Sequence, residues 1–436
     1  MSLFYGGNPS TSSDFTKYSW SLHADGMKSE QLRLKQNKAL VACASSSLPP
    51  ARRARDGAPL GIMMKSHAKH VLQGFQSTHD YDLQDQSGKL LPKERVANCL
   101  KRRISKVLPR FVKYNEVRKK AHWANVQRCG SIWTCPVCAK QITEKRREEL
   151  KKGCDEWKKQ GGEVFLLTLT NSHSSSHRLS DLISGQKKAI KRFFEGRKGV
   201  ELLRLLGRKH QIRSFEVTYG KNGWHPHFHI LLFLDGSFDR SFNIRDELSK
   251  FWISCCVKSG LPAPSMEHGL DLRDGKYADK YVSKWGIEHE LTKGHVKKGR
   301  AGGFTPFDLL RFSVHEEDVI IYEKSPSKLF QEFAISFKGA RQLVWSRGLK
   351  AFLGIEEKSD EELAEETELN AIDLRTVEDL TFSLLCKYQK RHEFLKTLEH
   401  DYENGCFGSG QTEKLIEDLV EREIKFMEAN FAFGST

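Results

Sequence analysis

The pattern of apolar and polar residues predicts a β-hairpin near the middle of the chain. Residues 213–219 alternate between the two classes, and residues 230–234 form an apolar run with branched and aromatic members, which is typical of a buried strand. The Gly-Lys-Asn-Gly stretch at 220–223 between them has the composition of a tight turn. If those four residues form the loop, Glu216 falls directly opposite His227.

The remaining periodicity predicts an α+β fold, with a central antiparallel sheet and flanking helices. A continuous apolar run at 164–170 is typical of a further central strand. Helical patterns cover residues 141–160, 182–206, 244–257 and 275–285. Helices set on an antiparallel sheet imply one covered face and one face that is free for chemistry.

The chain has 436 residues and a net charge of +15, which is unevenly distributed. Residues 1–355 carry 62 Lys and Arg against 35 Asp and Glu, whereas residues 356–436 carry 9 against 21. A basic body favours a polyanionic partner, most simply nucleic acid.

Composition divides the chain into four predicted regions. Residues 1–92 are expected to be a largely flexible N-terminal segment, because residues 1 to about 60 are rich in Ser, Gly, Arg and polar residues. Residues 93–160 form a basic region, predicted to be helical, with a cysteine cluster. Residues 161–355 form the domain that carries the sheet and the candidate chemistry, and residues 356–436 form an acidic helical region.

Several classes of protein are excluded by what the sequence lacks. No apolar run approaches the ~18 residues needed to span a membrane. The N-terminus lacks the basic start and apolar core of a secretory signal, and no Walker-type loop for ATP is present. With ten cysteines that suggest metal binding rather than disulfides, we expect a cytoplasmic protein with no membrane partner.

Three side chains of the predicted hairpin form a candidate metal site. His227 and His229 are two apart on a strand and so share a face, which they also share with Glu216 on the opposing strand. Mixed imidazole and carboxylate ligands with open positions suit Mg²⁺ or Mn²⁺ better than a closed structural zinc. His225 lies on the same face and is a rival third ligand, although Pro226 beside it suggests a strand edge.

The predicted helix 275–285 carries candidate nucleophiles. Tyr277 and Tyr281 are four apart and so lie on one helical face, and Lys284 shares that face. A tyrosine hydroxyl is a weak nucleophile at neutral pH and needs a cation or metal near its oxygen or its target. Packing of both tyrosines on a core is the alternative interpretation.

A cysteine cluster indicates a structural zinc site. Cys135 and Cys138 form a Cys-Pro-x-Cys knuckle, and Cys129 lies six residues earlier. Three thiolates leave no acidic water site, which favours a structural role. His122 and Cys154 are the local candidates for the fourth ligand.

A later basic stretch mixes cations with an aromatic ring, a combination suited to phosphate contact and base stacking. The candidate DNA-binding residues are Lys338, Arg341, Trp345 and Arg347.

Three motifs together resemble a known family. The sequences Phe-Leu-Leu-Thr-Leu-Thr at 165–170, His-Pro-His-Phe-His at 225–229 and Tyr-x-x-Lys at 281–284 occur in the order, and at about the spacing, of the motifs of HUH endonucleases. Over about residues 120–350 the chain is similar to the rolling-circle replication initiators of small bacterial plasmids.

The resemblance implies a ferredoxin- or RRM-like palm and a nicking and joining catalytic domain over residues 161–355. It implies a metal-dependent, site-specific endonuclease and strand transferase, in which Tyr281 forms a 5′-phosphotyrosine on single-stranded or hairpin origin DNA. Host helicase, single-strand-binding protein and DNA polymerase are the implied partners.

One residue departs from the pattern of these initiators. Many of them carry Glu four residues before the nucleophilic tyrosine, and Tyr277 holds that place here, as in the two-tyrosine arrangement of phage initiators. The second cut of the cycle is then made by Tyr277 or by a water that a carboxylate such as Asp274 activates.

Two rival functions share part of this signature. A relaxase or transposase of the same superfamily has the same site chemistry on a different DNA substrate. A non-catalytic, zinc-containing DNA-binding regulator would keep the charge and the cysteines but would need neither tyrosine.

Overall fold

A five-stranded antiparallel sheet, ordered β7-β4-β6-β5-β9, carries the candidate chemistry. Two smaller antiparallel sheets accompany it in the described part of the chain, one ordered β10-β2-β3 and one formed by β1 and β8. The strands are β1 (Ile62–Met64), β2 (Arg110–Asn115), β3 (Lys120–Ala124), β4 (Glu163–Leu169), β5 (Arg208–Gly220), β6 (Gly223–Leu234), β7 (Leu270–Arg273), β8 (Val319–Ile321), β9 (Leu343–Trp345) and β10 (Ala371–Val377). The computed structural model describes residues 62–64, 79–116, 118–236, 244–275, 278–279, 282, 303–315, 319–365, 371–406 and 410–433.

The helices pack around these sheets. They are α1 (Asp80–Leu90), α2 (Pro136–Lys159), α3 (Leu179–Glu195), α4 (Arg197–Leu205), α5 (Ile244–Val257), α6 (Pro306–Ser313), α7 (Pro326–Ser336), α8 (Leu349–Phe352), α9 (Asp360–Glu365), α10 (Asp379–Lys387), α11 (Arg391–Glu403) and α12 (Gln411–Phe433), with a 3₁₀ turn at Arg95–Asn98. Among the described helices, none is both long enough and apolar enough to cross a membrane. The mixture of helices and antiparallel sheet confirms the predicted α+β class.

The β5–β6 hairpin has the predicted register. Glu216 pairs with His227, and Gly220 pairs with Gly223 across the turn. Gly223 has a left-handed φ of +83°, and a Cβ atom there would lie 2.9 Å from the Cα of Ser175. Glycine is therefore required both by the turn and by the close approach of the neighbouring loop. His229 is paired on both sides, with Thr168 of β4 and Ser214 of β5, whereas His227 is paired with β5 alone.

One face of the central sheet is covered by helices. Phe215 and Phe228 stack with ring centroids 4.6 Å apart, and Phe337 lies 5.0 Å from Phe215. Phe193 of α3 and Leu232 of β6 belong to the same buried cluster. Alternation along each strand then sends the intervening residues to the other face.

The opposite face is polar at one end and apolar at the other. His227 and His229 lie on it, and further along the same strand Leu231 and Phe233 enter a second buried cluster with Leu349 of α8. This arrangement leaves the polar end of the face for the site.

Residues 93–128, predicted to be helical, form mainly strands and turns, so that prediction is wrong. Val112 of β2 and Trp123 of β3 are buried in a core. There the rings of Trp123 and Phe394 of α11 stack with their centroids 5.6 Å apart. The basic residues of this region lie on the outer face. Their abundance masks the alternation of apolar and polar residues that is typical of a strand.

The acidic region is mostly helical as predicted, but its strand β10 pairs with β2 of the basic region. In addition, α1 is ordered within the range 1–92, for which we predict flexible chain. Arg391 of α11 pairs with Asp85 of α1 at 2.8 Å, and both side chains are buried. The described beginning and end of the chain therefore share one core.

Candidate metal centres and their surroundings

Glu216, His227 and His229 converge on one face of the central sheet. The Glu216 Oε2 atom lies 3.6 Å from His227 Nε2 and 3.8 Å from His229 Nε2. The side chains of Glu216, His227 and His229 are 23%, 13% and 20% exposed, so the group is partly buried but accessible to solvent. One donor atom from each lies within 4.8 Å of the others, a separation that allows the three residues to hold one metal ion.

Neighbouring groups orient the two imidazoles for this role. The Nδ1 of His227 lies 3.2 Å from the carbonyl oxygen of His225. Because a carbonyl can only accept, Nδ1 carries the proton and the lone pair of the neutral ring is on Nε2, which faces Glu216. The Nδ1 of His229 lies 3.0 Å from Thr168 Oγ1, and its Nε2 lies 3.8 Å from Glu216 Oε2.

Burial and charge set the protonation of this row of histidines. Burial lowers the pKa of His229, and it lowers that of His225 to about 3, with the other imidazoles adding to the effect. Burial also opposes charge on His227, but contact with Glu216 outweighs it and raises the pKa of that ring. The carboxylate thus favours positive charge at the point where the three donors meet.

His225 contacts a different residue from the three that converge. Its Nδ1 lies 2.7 Å from Nε2 of His173, in the loop between β4 and α3. Among the described residues the metal-binding group comprises Glu216, His227 and His229, without His225.

Tyr277, Tyr281 and Lys284 lie outside the described residues. Two described residues of the same segment, Ala278 and Val282, are 1% and 4% exposed. They belong to the apolar cluster that contains Leu231 and Phe233 of the histidine strand. The described part of this segment therefore packs on the sheet face that carries the two histidines.

A second group brings together four buried cysteines. Cys99, Cys129, Cys135 and Cys138 place their sulfurs within 4.8 Å of one another. The fourth member is Cys99, so both His122 and Cys154 are wrong as candidates. His122 pairs with Lys113 in the β2–β3 ladder, and Cys154 is buried in α2 within the second apolar cluster. Cys99 lies 30 residues before Cys129 beside a 3₁₀ turn, and no local spacing in the sequence identifies it.

The cysteine geometry fits a closed tetrahedral site. Separations of 3.5, 3.7 and 3.8 Å between Sγ atoms are close to the ~3.8 Å expected for a Zn–S distance of about 2.3 Å. Cys135 caps the N-terminus of α2, where the helix dipole favours a thiolate, and its sulfur accepts from Gln84 Nε2 at 3.3 Å. The group can hold a metal such as zinc and offers no open ligand position among its four thiolates.

A cleft of about 850 Å³ lies between the cysteine cluster and the edge strand β9. Lys338, Arg341 and Trp345 line it, so three of the four predicted DNA-binding residues are brought together, whereas Arg347 is exposed outside the lining. Lys338 pairs with Glu94 at 2.7 Å. The Nζ atom of Lys350 lies 5.3 Å from the centroid of the Trp345 ring. The cleft therefore combines cations with an aromatic surface.

Comparison with known proteins gives a family match over most of the described chain. A family model described as "Replication protein" matches residues 118–394. The chain is 28% identical over 295 residues to "Protein rep" of Streptomyces lividans, covering 53% of this chain and 64% of that protein. It is 34% identical over 134 residues to "Neomycin resistance protein" of Streptomyces cyanogenus, covering 25% of this chain and 31% of that protein. The chain thus spans less than two thirds of each relative, and no solved structure matches it significantly.

Proposed function

This chain belongs to a family of replication proteins, and on that premise we propose that it initiates rolling-circle replication of a plasmid by cutting and rejoining one strand at the origin. The proposed activity is metal-dependent, site-specific DNA nicking with transfer of the strand to tyrosine. The range matched by the family, 118–394, includes the histidine strand and the tyrosine segment.

The convergence of Glu216, His227 and His229 carries the proposal. A purely structural histidine pair would need neither a carboxylate between the two Nε2 atoms nor an open side, and this group has both. When bound by the three side chains, Mg²⁺ or Mn²⁺ would polarise the scissile phosphate and offset the charge that develops on it.

Tyr281 is the proposed nucleophile of the first cut. Its hydroxyl oxygen attacks the phosphorus in line and releases its proton, while the bond from phosphorus to the 3′ oxygen breaks and that oxygen takes up a proton. The products are a 5′-phosphotyrosine and a free 3′-OH. Because the new phosphodiester retains the bond energy, rejoining needs no ATP.

The remaining predicted residues have supporting roles. Lys284 orients the phosphate or stabilises its charge, and Tyr277 provides a second nucleophile for termination. Lys338, Arg341, Trp345 and Arg347 are proposed to bind the DNA strand, the first three through the cleft beside β9. The free 3′-OH is extended by a host polymerase, with host helicase and single-strand-binding protein as further partners.

Nicking of the parent replicon's origin DNA tests the proposal. Wild-type protein should cut one strand and become covalently attached to its 5′ end, and EDTA should abolish both. Tyr281→Phe should bind the DNA without cutting it, whereas the control Tyr388→Phe, which alters a hydroxyl bonded to Glu423 on α12, should cut normally.

The same assay separates the rival functions. If the wild-type protein binds the origin DNA but does not nick it with any divalent cation, it is a regulator and the assignment as an enzyme is wrong. Cutting of a transfer origin or a transposon end, with the replication origin left intact, would identify a relaxase or a transposase.

A further inference from the structure

A short loop that precedes the family-matched range exposes apolar side chains. In residues 104–109, hereafter the apolar-tipped loop, Ile104 is 60% exposed, Val107 91% and Leu108 51%. Isolated exposed apolar residues are common, but adjoining ones on a single projection indicate a contact surface.

The loop is held in a fixed conformation by one side chain. Asn125 Oδ1 accepts from the amide of Ser105 at 2.8 Å, and Asn125 Nδ2 donates to the carbonyls of Leu108 and Pro109, both at 2.8 Å. Asn125 itself has a left-handed φ of +55°, which asparagine tolerates better than most residues. The exposed tip is therefore a preformed surface, and little ordering entropy is lost when it binds.

The base of the loop is also fixed. The amide of Leu100 donates to the carbonyl of Gln127 at 2.7 Å, and the amide of Gln127 donates to the carbonyl of Arg102 at 2.8 Å. Cys99 and Cys129, at the two ends of this segment, belong to the four-cysteine group. The cluster and the backbone bonds together hold the loop on the body of the protein.

Two exposed cations lie within a few residues of the apolar tip. Arg102 and Lys106 are exposed, and within the described chain neither has an ion pair with a carboxylate. In contrast, Arg103 and Arg110, on the same segment, both pair with Asp379. The loop therefore presents apolar side chains close in sequence to two positive charges that have no carboxylate partner in the described part of the protein.

We propose that the apolar-tipped loop is a DNA-contacting element, in which Val107 and Leu108 pack against bases or sugars while Arg102 and Lys106 bind phosphates. Apolar side chains are used in this way when proteins insert between base steps, and flanking cations supply affinity. The inference rests on the proposed function, because the site on the central sheet acts on DNA. It adds a contact outside both that site and the cleft beside β9.

Fluorescence anisotropy with a labelled duplex that ends in a single-stranded overhang tests the apolar part. The variant Val107→Ser/Leu108→Ser should bind this probe about tenfold or more weakly than wild type, a loss of about 1.4 kcal/mol. The matched control Val200→Ser/Leu205→Ser changes the same residue types on α4, where they are 44% and 51% exposed, and should bind like wild type. Circular dichroism checks that both variants are folded.

Two further variants test the charges and the fixed conformation. Arg102→Ala/Lys106→Ala should reduce the slope of log K against log salt by about 1 for each lost phosphate contact, whereas Lys187→Ala/Lys188→Ala on α3 should leave it unchanged. Asn125→Gly preserves the left-handed backbone but removes the bonds to the loop. It should weaken binding without altering any exposed apolar or charged group.

The outcomes separate this inference from the proposed function. If wild-type protein does not bind the probe, the proposed function and the inference both fail. If wild type binds and Val107→Ser/Leu108→Ser binds equally well, the inference alone is overturned. The loop would be a lipid-binding element, and the assignment to DNA wrong, if the variant lost binding to phosphatidylglycerol vesicles while its DNA affinity stayed unchanged.

Discussion

At the scale of single residues, Glu216 governs the charge of the histidine row. Its carboxylate raises the pKa of His227, whereas burial lowers the pKa of His229 and His225. A cation among the three donors would supply the positive charge that the carboxylate favours at this point. The three side chains therefore form a unit in which the carboxylate lies within 4 Å of both imidazoles.

Substitution of either histidine tests this unit. His227→Ala or His229→Ala should lower divalent-dependent cleavage at least about a hundredfold, because a stabilising group at the reacting phosphate is lost. Origin binding should remain nearly intact, since cations elsewhere supply the affinity. Cleavage and anisotropy are measured on the same DNA, with His268→Ala as a control because that side chain is 80% exposed. Full cleavage activity of either variant would contradict the assignment of these histidines to the metal site.

The two tyrosines are expected to act in succession. Tyr281→Phe should neither nick nor form an adduct on the first strand, whereas Tyr277→Phe should do both but release few circles in a two-site termination assay. Release is affected because, once Tyr281 is bonded to the 5′ end, a second nucleophile must cut the regenerated origin. Normal release by Tyr277→Phe would assign that step to an activated water or a second subunit. Loss of first-strand nicking in Tyr277→Phe alone would reverse the assignment.

The limit of prediction from sequence is clear among these residues. The pairing of Glu216 with His227 followed from strand alternation and a four-residue turn, because both are local patterns. Cys99 could not be found in this way, since its partner sulfurs are brought to it only by tertiary folding. The charge of the histidine row also depends on burial, which no spacing reveals.

At the scale of elements, the four-cysteine group joins α1, the 3₁₀ turn and the start of α2. Gln84 of α1 donates to Cys135, which caps α2, and Cys99 follows the 3₁₀ turn directly. A metal held there would fix the relative positions of these three elements.

Cysteine substitutions should therefore show whether Cys99 or the sequence-based candidate Cys154 is the fourth metal ligand. Cys99→Ser should remove bound zinc and lower the Tm by roughly 5 °C or more, because metal binding is coupled to folding. Cys154→Ser should retain one zinc per chain, since its sulfur lies in a different cluster. Elemental analysis of protein purified without chelator measures the metal. Retention of zinc by Cys99→Ser would contradict the fourth ligand, and a wild-type protein without zinc would contradict the site.

Elements were predictable where their pattern was local. The hairpin, the apolar strand β4 and helix α5 followed from short-range periodicity. The single helix predicted over residues 182–206 is divided at Gly196 into α3 and α4. The β10-β2-β3 sheet did not, because its first and second strands are far apart in sequence and are paired by tertiary structure. Cations on the outer face of β2 also concealed its alternation.

At the scale of the whole molecule, the acidic and basic regions partly neutralise each other. Asp379 of α10 pairs with Arg103 and Arg110, and Asp373 of β10 pairs with Lys113 at 3.1 Å. The excess positive charge of residues 1–355 is therefore reduced where the acidic region lies against it. The charge that these pairs do not neutralise remains available for the proposed contact with DNA.

Truncation before residue 356 should thus damage the fold as well as the charge balance. The shortened protein would lose β10 from the edge of β2 and the rings of Phe382 and Phe394 from Trp123. We expect strong binding of a hydrophobic dye, a red shift in tryptophan emission and low solubility. The described part of α12 within residues 424–436 is exposed. Removal of these residues alone should therefore leave dye binding, tryptophan emission and solubility unchanged. A soluble, dye-negative protein ending at residue 355 would show that the acidic region folds independently.

The pairing of β10 with β2 can form only after β10 has been synthesised, long after β2. About 260 residues separate the two strands, and a ribosome adding ~5–20 residues per second needs roughly 13–52 s to make them. During that interval the edge of β2 and the uncovered face of Trp123 are accessible on the nascent chain, where unpaired edges invite association with other chains. The amount of active protein in a cell should therefore depend on chaperones that protect nascent chains, and on how quickly translation reaches β10.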